Sequence, residues 1–424
     1  MLYHLFEYLR QRGTDFSGIG LMQYISVRGI LGNITAILIA LIAGKKTIGF
    51  LQKKQIGEEI RNLGLEGQLA KKGTPTMGGV IIIVSLLIPI LLFCDLSNKN
   101  TLILLFTTIW LGLLGFLDDY IKVFKHNKEG LNGRVKIAGQ VILGLVVGFA
   151  LCFDESLAFR EGNAVKGAEE TVQTVSAPAA GSDSFESNAI MTTIPFVKDN
   201  EFNYAWLSPF KGKAGDIFSK IIYILVIIFI ITGCSNGANL TDGMDGLATG
   251  VTAIVGATLG ILAYVSGHVG YADYFNIMFR EKSGDIAVFM MTLVGALLGF
   301  LWYNSYPAQI FMGDTGSLTL GGIVGVCAVL IRKELLLPIL CGIFVVESLS
   351  VIIQRYYFKY TKKKYGEGRR IFKMAPLHHH FQKENIAAVI KKPVIAHPEA
   401  KIVMRFYIVS IMLAVLTIIT LKIR

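Results

Sequence analysis

The sequence predicts an all-α polytopic integral membrane protein with ten transmembrane helices, functional loops facing the cytoplasm and both termini outside. Three observations carry that prediction. The 424-residue chain is 53% hydrophobic, its mean hydropathy is +0.56, and its apolar residues gather in long runs separated by short polar loops. That is more apolar surface than a soluble domain buries, so lipid is the expected solvent. The formal charge of +11 does not point to nucleic acid, because basic residues collected in loops between apolar spans are the ordinary mark of cytoplasmic membrane loops.

A helix needs about 20 apolar residues to cross a bilayer, which places spans near 24–43, 77–95, 101–117, 135–153, 217–233, 247–266, 285–303, 317–331, 335–358 and 402–421. Residues 1–20 hold Glu7, Arg10, Arg12 and Asp15 with no clean apolar core or cleavage site, so they do not read as a signal peptide. Cys94, Cys152, Cys234, Cys327 and Cys341 have no paired metal spacing and read as packing residues. The basic loops 44–76, 118–136 and 359–401 follow the first, third and ninth spans, so odd-numbered spans should end in the cytoplasm. The chain reads as one transmembrane domain, 1–424. Residues 154–216, small and polar with more acids than bases, form an external, partly disordered insertion, and 359–401 forms a cytoplasmic histidine-containing loop.

Five polar clusters share one parity: "KKGTPTMGG" (71–79), "DDYIK" (118–122), "NGANLTDGMDGLA" (236–248), "WYNSYPAQIFMGDTGS" (302–317) and "MAPLHHHF" (374–381). All should face the cytoplasm, and one shared site is the simplest reading. Asp118 and Asp119 end an apolar helix with Lys122 one turn on; charges capping a helix at the interface are the plainer reading of such a pair alone. Asp242 and Asp245 are spaced to share one helical face, and the glycines beside them allow backbone to approach a ligand. Asp314 lies between glycines at the start of a span, where Thr315 and Ser317 could also cap the helix.

Converging carboxylates repel one another and resist ionisation. A hard divalent cation removes that penalty, and Mg²⁺ leaves positions for water and phosphate oxygens, so an acid-rich site flanked by Lys71, Lys122 and Lys136 suggests phosphate chemistry. No P-loop or dinucleotide glycine pattern is present. The consecutive histidines 378–380 suit a phosphate ligand or an acid–base role better than a structural zinc. Phe311 and Asn304 could stack on and hydrogen-bond a flat base, with helix packing the alternative for Phe311. Glu347, inside an apolar span, is a functional candidate or an acid paired within the bundle.

Taken together, "KKGTPTMGG", "LGFLDDYIK", "NLTDGMDGLA", "PAQIFMGDTGS" and "MAPLHHHF" resemble the phospho-N-acetylmuramoyl-pentapeptide-transferase family, from about residue 20 to the C-terminus. The resemblance implies a ten-helix enzyme of the bacterial inner membrane, usually a homodimer. It implies transfer of phospho-MurNAc-pentapeptide from UDP-MurNAc-pentapeptide to undecaprenyl phosphate, giving lipid I and UMP, with Mg²⁺ as cofactor. By motif, Asp314 matches the Mg²⁺ ligand and Asp118 and Asp119 the paired acids; because a lipid phosphate is largely a dianion near neutral pH, direct attack is favoured over a carboxylate nucleophile, with Asp118 taking any remaining proton and Asp119 orienting Lys122 or a metal-bound water. Lys71, Asn239, Gly243, Met244, Asp245, Asn304 and Phe311 match a uridine pocket, which Thr76, Asn236 and Asp242 adjoin. His378 would be catalytic and His379 and His380 substrate-binding, the motif that separates this family from GlcNAc-1-phosphate transferases. Residues 154–216 and 384–400 depart from the pattern by their length. Two other readings compete: a GlcNAc-1-phosphate transferase, and an ion-coupled transporter, which would place its polar groups near the midplane in symmetry-related halves.

Overall fold

The computed structural model describes residues 1–13, 19–53, 73–125, 127, 129–154, 157, 191–197, 201–275 and 277–422. Expectations that rest on Lys71 and on 158–190 lie outside them. The helices are α1 Leu2–Gln11, α2 Ile25–Lys53, α3 Gly79–Phe93, α4 Lys99–Phe124, α5 Gly133–Phe153, α6 Lys213–Thr241, α7 Leu247–Ser266, α8 Val269–Phe275, α9 Gly284–Asn304, α10 Gly313–Leu330, α11 Leu337–Leu340, α12 Gly342–Tyr365, α13 Leu377–Gln382 and α14 Glu399–Thr420. Eight of these are long and apolar enough to cross a membrane. Helix α3 is a shorter apolar helix of 15 residues that keeps Pro89 inside it, a break that neighbouring helices make tolerable in lipid.

The ninth expected span, 335–358, is not one rod. Glu334–Leu340 and Gly342–Tyr365 meet at a bend of 74°. A hydropathy window does not register such breaks: Pro338 sits in the first turn of a four-residue helix, where its missing N–H costs little, and a new helix begins after Cys341. Helix α1 is unexpected from the hydropathy pattern; it packs on α3, and the N-terminal amine donates to the Leu91 carbonyl.

Helix α10 is the axis of the bundle. From Thr315 through Leu330 every residue is buried, and α10 packs against α3, α4, α6 and α7. Helix α9 packs in turn on α2 and α7, and α5 on α6. Lipid tails are as apolar as the helix surfaces, so close approach of small residues supplies the packing. At Gly115 of α4 a Cβ would lie 2.3 Å from the Asp314 carbonyl oxygen, so the helices cross here at backbone contact. The described part of the 154–216 insertion holds a two-stranded antiparallel hairpin, β1 Met191–Thr193 paired with β2 Glu201–Asn203.

Gly115→Ala should therefore push α4 off α10, with a loss of about 1–3 kcal/mol typical of overpacking. Gly133→Ala, where nothing lies within 4 Å of the new carbon, should be neutral. Thermal unfolding of the detergent-solubilised variants separates the two.

Candidate functional site

Helix α4 does not stop where its apolar run does but continues to Phe124, which carries Asp118 and Asp119 into the bundle at 0% and 2% exposure. The start of α10 faces them. Asp119 Oδ1 accepts from the Asp314 N–H at 3.0 Å, and Oδ2 accepts from the Thr315 N–H at 2.9 Å and from the Thr315 hydroxyl. An acid of one helix thus caps the first turn of another, satisfying N–H groups that have no partner inside their own helix. Both Asp119 oxygens thus turn to α10, and among the described residues no hydrogen bond joins it to Lys122.

Asp118 and Asp314 share two lysines. Lys122 Nζ lies 2.6 Å from Asp118 Oδ2 and 3.4 Å from Asp314 Oδ1, while Lys136 Nζ lies 2.9 Å from Asp118 Oδ1 and also pairs with Asp314 Oδ2. Asn239, at the end of α6, donates to Asp314 Oδ1 at 3.0 Å and to Ser317 Oγ at 2.9 Å. The Leu131 N–H adds a bond to Asp118 Oδ1 at 2.7 Å. Oxygens of Asp118, Asp119 and Asp314 lie within 4.8 Å of one another. Hard oxygen donors so grouped could hold a divalent metal ion.

The other clusters join this centre. The Gly78 and Gly79 N–H groups donate to the Phe311 and Met312 carbonyls at 2.8 Å, and the Phe311 N–H donates to the Pro75 carbonyl at 2.9 Å. Buried Thr76 lies in that pairing, and the Phe311 side chain is half-buried. Asn236 donates to Gln140 Oε1 at 2.9 Å. Gln140 is absent from the motifs, although its place one turn beyond Lys136 on the same face of α5 is readable from spacing.

Several expectations change. Asp242 and Asp245 do not share a helical face, because α6 ends at Thr241 and α7 starts at Leu247. They lie in the turn between, where Asp245 Oδ2 accepts from the Ala308 N–H at 3.0 Å and the Asp245 N–H donates to Glu399 at 2.7 Å. Met244 is buried beside them. Asn304, expected to meet a base, is buried with its amide bonded to the Ile310 carbonyl and its oxygen to Thr249. It therefore shapes the Phe311 loop.

The histidines divide. His378 is fully buried, with Nδ1 3.2 Å from Glu347 Oε2, and a Cβ at Gly243 would come within 2.2 Å of its Nε2. Only glycine at 243 lets the ring reach the α6–α7 turn, and the enclosed ring keeps both nitrogens without a hydrogen-bond partner. His380 accepts the Lys373 N–H on Nδ1 at 3.0 Å and holds the Lys392 carbonyl with Nε2 at 2.8 Å, and burial lowers its pKa. Both nitrogens are thus spent on backbone, and a substrate contact gives way to a structural one. His379, half-buried, lies 2.9 Å from Gln382 Oε1 through Nδ1.

Residues 187–332 match the model of glycosyl transferase family 4, and this match, the apolar bundle and the acid–lysine centre define a membrane-embedded glycosyl transferase. Residues 71–83 match the first signature of phospho-N-acetylmuramoyl-pentapeptide-transferase. Over the full length of both chains, the protein is 54% identical to the phospho-N-acetylmuramoyl-pentapeptide-transferase of Parabacteroides distasonis and 52% identical to those of Porphyromonas gingivalis and Flavobacterium psychrophilum. The chain belongs to the phospho-N-acetylmuramoyl-pentapeptide-transferase family.

Asp119→Asn turns an amide N–H toward the donors of Thr315, leaving a buried donor unpaired at a cost of about 1–3 kcal/mol. Lower thermal stability and lost turnover are expected together. Thr315→Ser keeps the hydroxyl and should retain both.

Proposed function

We propose that this enzyme transfers phospho-MurNAc-pentapeptide from UDP-MurNAc-pentapeptide to undecaprenyl phosphate, releasing UMP and forming lipid I for peptidoglycan. The observation that carries this is the pair of carboxylates, buried Asp118 and partly exposed Asp314, bridged by Lys122 and Lys136 at the ends of membrane helices. Such a place lets a lipid phosphate and a soluble nucleotide sugar meet at the interface. We further propose ten spans, counting α3 and the bent pair as one span each, with the aspartates at the cytoplasmic face of the inner membrane, both termini outside and a homodimeric assembly.

In this reading Lys122 and Lys136 exchange carboxylate partners for phosphate oxygens as substrates arrive. Asp314 would hold Mg²⁺, which when bound would supply charge neutralisation and Lewis acidity at the diphosphate. A phosphate monoester has its second pKa near 6, so the acceptor is largely a dianion at neutral pH and needs positioning more than a strong base. Asp118 takes any remaining proton, and the lipid phosphate oxygen attacks the donor's β-phosphorus directly. Lys71, Thr76, Asn236, Asn239 and the Asp242–Asp245 turn surround the uridine, with the half-buried ring of Phe311 stacked on it and His379 at the rim.

Purified enzyme with Mg²⁺ and undecaprenyl phosphate should release UMP from UDP-MurNAc-pentapeptide and not from UDP-GlcNAc; the reverse preference would assign the GlcNAc-1-phosphate reaction, and no release from either would favour a transporter. Loss of a general base costs about 10²–10⁴ in rate, so Asp118→Asn should be slow, with a deficit that narrows as pH rises and the acceptor ionises. Asp314→Asn should be slower still and little restored by excess Mg²⁺. For topology, a cysteine at Trp206, 71% exposed, should react with an impermeant reagent on intact cells, and one at Lys364 should not. Labelling of Lys364 alone would invert the orientation.

A further inference from the structure

The end of α10 remote from Asp314, at Leu330, lies about 24 Å away at a rise of about 1.5 Å per residue. There the chain turns through Arg332, Lys333 and Glu334, which are 0%, 0% and 1% exposed. Arg280, 9% exposed, joins them from the connection before α9. Of the acids buried among the described residues, only Glu334 lies in this group. Lys333 Nζ donates to the neutral Thr193 hydroxyl at 2.7 Å, and Arg280 reaches only the Leu157 carbonyl, at 3.4 Å.

Arg332 is the anomaly. Its Nε, Nη1 and Nη2 have no hydrogen-bond partner, and neither has the hydroxyl of Tyr223, the buried ring over which the guanidinium sits at 4.8 Å. Its backbone is in the left-handed region, φ 56°, a conformation costly for a residue with a Cβ. It is held there by the hairpin: the Thr193 N–H and the Thr192 hydroxyl donate to the Arg332 carbonyl at 3.0 and 3.2 Å. Glu334 and, from β2, the exposed Glu201 oppose the charge at Lys333, but no acid is hydrogen-bonded to the Arg332 guanidinium, and a buried charge without a bonded partner is far more costly than a paired one. The guanidinium fork matches two oxygens of a phosphate or carboxylate.

We propose that Arg332, with the Tyr223 hydroxyl and the Arg280 and Lys333 cations, forms an anion site for a phosphate-like oxyanion beneath the β1–β2 hairpin, at the end of the bundle opposite the aspartates. The neighbouring charges agree. Burial lowers the Arg280 pKa to about 10, with Arg332 adding to the effect. Burial also lowers that of Lys333 to about 7, with Glu334 opposing and Arg280 adding. An anion among them relieves this repulsion. Because β1 bonds to Arg332 and Lys333, the occupied site also fastens the hairpin to the bundle. The oxyanion comes either from free phosphate or from a phospholipid headgroup at the membrane boundary.

A ligand that binds the folded state raises its melting temperature in a concentration-dependent, saturable way. Full-length protein in uncharged detergent should melt higher in inorganic phosphate than in chloride at equal ionic strength, with saturation, and Arg332→Gln should abolish the difference while leaving turnover at the aspartates close to that of the unaltered protein. Should Arg332→Gln not fold, Arg280→Gln keeps the test alive by shifting the phosphate titration to higher concentration. In phosphatidylcholine vesicles without inorganic phosphate, where the only headgroup oxyanion is a charge-balanced diester, further stabilisation on adding the monoester phosphatidic acid assigns the oxyanion to a headgroup. Superposed phosphate and chloride titrations with no effect of phosphatidic acid would overturn the proposal, as would a phosphate shift that persists unchanged in both variants.

Discussion

The hold of Asp119 on the first turn of α10 is the contact on which the rest of the site depends. A helix that starts inside a bundle leaves N–H groups that hydrocarbon cannot satisfy. Here an acid from α4 takes the Asp314 and Thr315 N–H groups and the Thr315 hydroxyl. The same contact fixes the backbone of Asp314, so the most buried helix of the bundle and its principal acid are placed by one carboxylate. Gly115, one turn before Asp119, makes the approach sterically allowed.

With Asp119 so engaged, the reactive charge falls to Asp118 and Asp314. Each meets both lysines, and Asn239 holds Asp314 from a third helix. Paired charges of this kind are strongly coupled: removal of one leaves another buried and uncompensated. The lysines belong to α4 and α5 and the acids to α4 and α10, so the arrangement also registers three helices against one another. Long lysine stems can leave a carboxylate for a phosphate without moving a helix.

Around this centre a second framework holds the loops. Glu347 of α12 meets His378, which reaches Gly243; Glu399 at the start of α14 takes the Asp245 N–H; and Tyr407 donates to the Gly246 carbonyl at 2.7 Å. The 384–400 stretch is part of it, since Lys373 Nζ donates to the Lys383 and Pro393 carbonyls and His380 holds Lys392. These bonds brace the histidine loop.

Much was determined by the sequence alone. Apolar run lengths located the eight helices long and apolar enough to cross a membrane, because hydropathy is a local property that a window reads directly, and motif order identified the family. The meeting of Asp118, Asp314 and the lysines was also within reach, since span parity placed their loops on one side. What the tertiary structure decided was how each polar group is used. A hydrogen bond joins residues far apart in the chain, so nothing local in the sequence distinguishes Asp119, spent on α10, from Asp118 beside it. For the same reason the enclosure of His378 and Asn304, the backbone duties of His380, and the 74° bend after Leu340 were settled only when the helices packed.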